Sequence, residues 1–246
     1  MKSSYTFRIL TNKEDEMIKM LGIISSVADM RKEPKFQSER ISQLVYGEEV
    51  SIIEKMDEYS LLEGPDKLKG YVKNTQIGEI RKRKYKLKAH FSGNNFVLSF
   101  GSYLDDEDLK KFKIPIRMVS SIEEQFDPAK LAPGFIGIPY LWGGTSDFGF
   151  DCSGFTQRLF RFSNIEIPRN SDWQRDAAQT VSDFSQAKEG DLVFFKGHVA
   201  MYLGNGNIIH ANGHYMAVTY TNLFGEGEYS KKLMTLFIKI GRFKKE

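Results

Sequence analysis

Among its 246 residues the chain has a single cysteine, Cys152. One cysteine excludes an internal disulfide and any multi-cysteine metal site. The four histidines and that cysteine make no zinc-ligand constellation, so no metal is expected. There is no P-loop and no dinucleotide fingerprint, so no cofactor is implied. Long apolar runs are missing too: no window approaches the ~18 consecutive apolar residues of a spanning helix. The opening MKSSYTFRILTNKEDEM has no apolar core and meets acidic residues at once, unlike a secretory signal. The resulting expectation is a cytoplasmic protein with no membrane partner. Net charge is scarce as well. A value of +3 is too small to suggest a nucleic-acid partner, and the basic run Arg81–Lys84 reads as a solvated linker. Nothing in the sequence fixes an oligomeric state.

What is present is an ordinary globular composition, 41% apolar and 27% charged, long enough for one large or two to three small domains. Residues 1–21 form a charged lead-in, with a short helix expected over Glu14–Leu21. Residues 22–79 change to short alternating strands. ISQLVYGEEVSIIEKMDEYSLLE reads as strand, tight turn at Gly47, strand, polar turn near Asp57, strand. PDKLKGYVKNTQI adds a turn and a closing strand, and the spacing predicts a small all-β barrel. Residues 80–125 repeat that texture in KYKLKAHF, NNFVLSFGSYL and KIPIRMVSS.

Pro128, Pro133 and Gly134 punctuate the entry to a third domain, residues 126–246. Its order is loop, helix over Cys152–Phe162, loop, helix, then strands, which is α+β. The second helix opens on Ser171-Asp172-Trp173-Gln174, the pattern of a capping box. GDLVFFK reads as a buried strand, HVAMYLG and NIIHA as a hairpin across Asn205-Gly206, and KLMTLFIKIGRF as a last strand.

The chemistry gathers on YLWGGTSDFGFDCSGFTQRLFRF. Phe155, Leu159 and Phe162 keep the i, i+4, i+7 rhythm of a helix with one buried face. Cys152 therefore stands on a first helical turn, where the dipole favours thiolate over thiol. His198 and His210 follow on strand-like sequence. A nucleophile awaiting a base is one reading. A buried structural cysteine and a strand-end histidine are the other.

YLWGG and DFGFDCSG, then IPRNSDWQ, GDLVFF and HVAMYLGNGNIIHA, resemble in that order the NlpC/P60 family of papain-like cysteine peptidases. The likeness covers about residues 138–246. Residues 22–79 resemble a bacterial SH3-like domain, and 80–125 a degenerate second one. The resemblance implies Cys152 as nucleophile, His198 as base and His210 as its orienter. Tyr140 would be an oxyanion donor or an aromatic wall. Asp151, Ser153 and Ser171 would grip a substrate ammonium, although Asp151 could equally cap the helix and Ser171 fits its own capping box. The implied activity is hydrolysis of the γ-D-Glu–diamino acid bond in peptidoglycan-derived peptides bearing a free N-terminal L-Ala, as in wall recycling.

Two points strain the resemblance. Relatives of the recycling type complete the amine site with a tyrosine where this chain has Leu68, so Tyr71 or Tyr46 would have to substitute. A two-residue turn at Asn205-Gly206 would also put His198 and His210 on opposite faces, so a triad needs a bulge or a longer loop. The competing readings are an exported hydrolase of intact wall and a non-catalytic peptidoglycan-binding protein. An acyltransferase or amidase of circularly permuted type is disfavoured by the order Cys before His.

Overall fold

In the computed structural model, residues 20–93 and 95–244 are described. Of the helix expected over Glu14–Leu21, residues 14–19 lie outside that range. Met20 and Leu21 open a strand instead.

The first module is built from β1 (Met20–Ile23), β2 (Val27–Arg31), β3 (Arg40–Val45), β4 (Ser51–Lys55), β5 (Tyr59–Glu63), β6 (Lys69–Lys73) and β7 (Ile77–Ile80). Five of these form a sheet in the order β3-β2-β6-β5-β4, and β1 pairs with β7. Alternation puts Ala28, Met30, Leu44, Leu62 and Val72 on the inner face, where they close around Ile23 and Val50. This is the expected barrel.

The second module follows with β8 (Tyr85–Leu87), β9 (Phe91–Gly93), β10 (Phe96–Leu98), β11 (Tyr103–Leu104), α1 (Asp106–Phe112) and β12 (Val119–Ser121). It differs from the first in carrying α1, whose N-cap Asp105 and N3 residue Asp108 form a reciprocal capping box. Tyr46 of the first module enters this core, packing on Phe96 and Phe112 and donating its hydroxyl to Asp108 at 2.6 Å. The neighbouring Gly47, at φ +80°, brings its Cα so near the Tyr103 carbonyl that a Cβ would sit 1.9 Å from the oxygen. Only glycine lets the two modules approach there.

The third module contains α2 (Pro128–Leu131), β13 (Thr145–Ser146), β14 (Gly149–Phe150), α3 (Cys152–Phe162), α4 (Ser171–Ala177), β15 (Gln179–Val181), β16 (Leu192–Phe195), β17 (His198–Tyr202), β18 (Asn207–Asn212), β19 (Ala217–Asn222), α5 (Glu228–Thr235) and β20 (Phe237–Arg242). Its six-stranded sheet runs β15-β20-β16-β17-β18-β19. Helix α3 lies across β17 and β18, and its fully buried Phe155 and Leu159 share one cluster with Met201 and Ile209. The opposite sheet face packs Val193, Ala200 and Ile208 against Leu233 of α5.

Two local expectations fail. The run KLMTLFIKIGRF is helix before it is strand, because Tyr229, Leu233 and Leu236 turn one apolar face to the sheet. The capping box at Ser171 is absent: Asn170 is the N-cap, with no side-chain cap bond. Gln174, whose side chain the box would have used, is instead fully buried and bonded to Thr156, Ser153 O and Pro168 O.

Both N-terminal modules grip α3. Glu48 of the first module is buried between Arg158 (2.9 Å) and Arg161 (3.0 Å). Lys86 of the second donates to Phe162 O and Asn164 Oδ1 at the C-terminal end of α3, where a cation complements the helix dipole.

Candidate active site

A cleft of about 680 Å³ separates the first module from the third, and Cys152, His198 and Tyr140 all line it. Cys152 opens α3. Asp151 caps that helix, accepting from Gly154 N at 2.7 Å, and reaches back to Gly143 N at 2.9 Å. One carboxylate thus fixes both the helix start and the glycine loop before it. Arg169, with its side chain 2% exposed, clamps Asp151 at 2.6 and 3.0 Å and also meets Ser153 Oγ. Asp151 is therefore not the free carboxylate that an ammonium grip calls for: its charge is shared with Arg169 and its oxygens already accept several bonds. Ser153 belongs to the same cluster, whereas Ser171 stands at the rim where α4 begins.

Strand β3 of the first module serves as a rack for these loops. Arg40 Nη1 donates to Trp142 O, and Trp142 Nε1 donates to Glu39 Oε1. Ser42 Oγ accepts from Arg169 Nε, and Gln43 receives Thr145 N and Oγ1. Gly143, at φ +73°, lies so close to the Arg40 carbonyl that a Cβ would come within 2.3 Å of it. Leu68 lines the cleft. Neither proposed substitute does. Tyr71 pairs with Leu61 within the first sheet, and Tyr46 is buried against Asp108.

The hairpin settles the geometry of the two histidines. Leu203 N bonds Asn207 O (2.8 Å), so the turn holds three residues, Gly204, Asn205 and Gly206, all at positive φ. The register is Met201↔Ile209 and Tyr202↔Ile208. The extra residue moves the pairing by one and brings His198 and His210 onto the same face. His198 Nε2 lies 2.7 Å from His210 Nδ1, and His210 Nε2 lies 3.0 Å from Thr221 Oγ1. That pattern leaves His198 Nδ1 outside the relay.

Electrostatics reverse one expectation. Burial, followed by the charge of Asp151, pushes the Cys152 thiol up to about 11, against the opposing pull of the Val199 amide and Arg169. Burial likewise lowers His198 to about 4, opposed by Asp151, and takes His210 well below its ordinary value. The helix terminus offers only about 0.3–1 kcal/mol, less than the ~1.4 kcal/mol that one pKa unit represents. Burial wins, and the resting pair is thiol and neutral imidazole rather than thiolate and imidazolium. Tyr140, raised to about 12 by burial and then by Cys152 and Asp151, keeps its proton and can donate it.

Arg169, Thr221 and the β3 residues escaped the sequence reading. Arg169 stood in the noted phrase IPRN, and a buried carboxylate at Asp151 called for a cation. Their meeting is made only by the fold.

A cysteine on the first turn of a helix, sharing a cleft with a histidine that is bonded to a second histidine on the adjacent antiparallel strand, is the arrangement of a papain-like domain. Residues 137–238 match the NlpC/P60 family and residues 26–77 match the bacterial SH3 domain. The chain thus carries an NlpC/P60 domain preceded by a bacterial SH3 domain. It is similar to a γ-D-glutamyl-L-lysine dipeptidyl-peptidase of Bacillus cereus, 49% identical over 85 residues covering 31% of this chain and 25% of the relative. A probable endopeptidase p60 of Listeria welshimeri is 44% identical over 97 residues, 37% of this chain and 18% of the relative. The chain thus matches a quarter or less of the length of these relatives. A solved NlpC/P60 family protein from Bacillus cereus shares the fold, with TM-score 0.71 at 19% identity over 91% of this chain and 98% of that one.

Proposed function

We propose that the protein is a cysteine endopeptidase that hydrolyses the γ-D-Glu–diamino acid bond of peptidoglycan-derived peptides. The observation that carries this is the relay Thr221–His210–His198, which ends in the cleft that Cys152 lines. With Nδ1 free to accept, His198 Nε2–H donates to His210 Nδ1, and His210 Nε2–H donates to Thr221. As Sγ attacks the γ-amide carbonyl, Nδ1 takes the thiol proton, and the imidazolium is stabilised by the His210 lone pair. The Cys152 N–H, without an intrahelical acceptor at this position, and the Tyr140 hydroxyl serve the oxyanion. Collapse breaks the C–N bond, and His198 returns its proton to the departing amine. Water, deprotonated by the same ring, then hydrolyses the thioester.

The bond assignment is supported by the relatives whose names specify γ-D-glutamyl-L-lysine. The first module walls the cleft with Glu39, Arg40, Ile41 and Leu68. A cleft walled by that module suits a short fragment already released from the wall, the substrate of recycling. With Asp151 held by Arg169, Glu39 and Asp172 are the remaining carboxylates of the cleft lining beside Arg40, and they favour a free amino terminus, with Ser153 and Ser171 as hydroxyl partners. The test offers purified protein L-Ala-γ-D-Glu-L-Lys, its N-acetylated form and intact sacculi. Cleavage of the free-amine peptide alone is expected. Cleavage of sacculi would move the protein to the wall hydrolases. Binding to sacculi with no cleavage of any substrate would make it a binder.

A further inference from the structure

A second recess, of about 500 Å³, lies across the Gly213–His214 turn from the cleft. Gly213 lines the cleft and His214, the next residue, lines the recess. The walls are largely aromatic. The Tyr229 ring stacks on His214 at 4.3 Å and 6°, and Tyr215 stands edge-on to both. Tyr229 also lies over His210, at 6.0 Å and 29°. Thr221, whose hydroxyl holds His210 Nε2, forms part of the wall. The recess therefore sits directly behind the relay. Tyr215 and Tyr220 are 54% and 51% exposed, an unusual outlay of open aromatic surface.

Its charge has one sign. Glu228 supplies a carboxylate to the lining, which includes no lysine or arginine. Open tyrosine faces beside a carboxylate are the chemistry that holds an organic ammonium. The phenol of Tyr229 is raised to about 12 by burial, then by Tyr215 and Cys152, so that ring stays neutral.

The hydrolase reading places the amino end of the substrate against the first module. The residue after the scissile bond then leaves past His198 and Gly213, towards this recess. Resting on that reading, we propose that the recess binds the side-chain ammonium of the departing diamino acid, between the tyrosine rings and Glu228. The site then selects L-lysine over meso-diaminopimelate, whose second carboxylate would meet Glu228 with no basic side chain to pair it.

The experiment compares kcat/KM for L-Ala-γ-D-Glu peptides ending in L-lysine, meso-diaminopimelate or norleucine, the uncharged analogue of lysine. Wild-type protein is expected to favour lysine by about tenfold over each of the others, the scale of one cation–π contact in a partly desolvated site. Glu228→Gln, with a thermal melt to check folding, should bring the lysine-to-norleucine ratio towards unity. Equal kcat/KM for the three peptides, or an unaltered ratio in Glu228→Gln, overturns this proposal and leaves the hydrolase reading standing. Absence of cleavage of every peptide removes the hydrolase reading and this one with it.

Discussion

In the proposed mechanism His198 acts as a base at neutral pH because burial strips its charge, while its bond to His210 occupies Nε2 and leaves Nδ1. Its folded value, about 4, lies below its ordinary 6.5. Between those values the unfolded chain binds more protons than the folded one. The stability tied to this ring is therefore complete above about pH 6.5 and falls as the pH drops towards 4. The base is lost only near the folded value. A pH profile of kcat/KM should stay level through neutrality, with its acid limb near pH 4. An acid limb above 6 would mean a solvated imidazole and would contradict the buried relay. At this scale residue type and motif order pointed to Cys152, His198 and His210, and the fold brings Cys152 and His198 into one cleft with His210 bonded behind. The protonation of the pair was not legible. The helix dipole can be read from a sequence, but the burial that outweighs it cannot.

Helix α3 was legible to the residue, because its apolar positions repeat at helical spacing and Asp151 ends the loop before it. Arg158 and Arg161 on this helix are 3% and 5% exposed, closed over Glu48, which its apolar rhythm does not foretell. Removing Glu48 would leave the buried Arg158 guanidinium without its carboxylate and Arg161 with only Asp66 and the exposed Glu166. Glu48→Ala should cost about 3–5 kcal/mol, whereas Glu166→Ala, which removes an exposed partner of Arg161, should cost under about 1 kcal/mol. Urea unfolding of the two variants measures the difference, and equal midpoints would deny that the cluster holds α3. Element boundaries failed where one residue decides the outcome. Asn205 and Gly206 promised a two-residue turn, and Gly204, also at positive φ, joined them and reset the register.

For the whole molecule, the SH3-like and NlpC/P60 domains were legible in that order from strand spacing and motifs, but their docking was not. The bonds of β3 to Trp142, Thr145 and Arg169 span more than a hundred residues and leave no local pattern. Because of them the first module is a wall of the active cleft rather than a tethered spacer, and the second braces the far end of α3 through Lys86. Among the described residues no helix is long and apolar enough to cross a membrane. The proposed hydrolysis requires Cys152 to attack one particular amide. Mass spectrometry of L-Ala-γ-D-Glu-L-Lys after incubation with wild-type protein and with Cys152→Ala tests this directly. Wild-type protein should release L-Ala-γ-D-Glu and free L-lysine, and the variant should be slower by more than about a thousandfold. Scission between alanine and glutamate, or equal release by the variant, would contradict it.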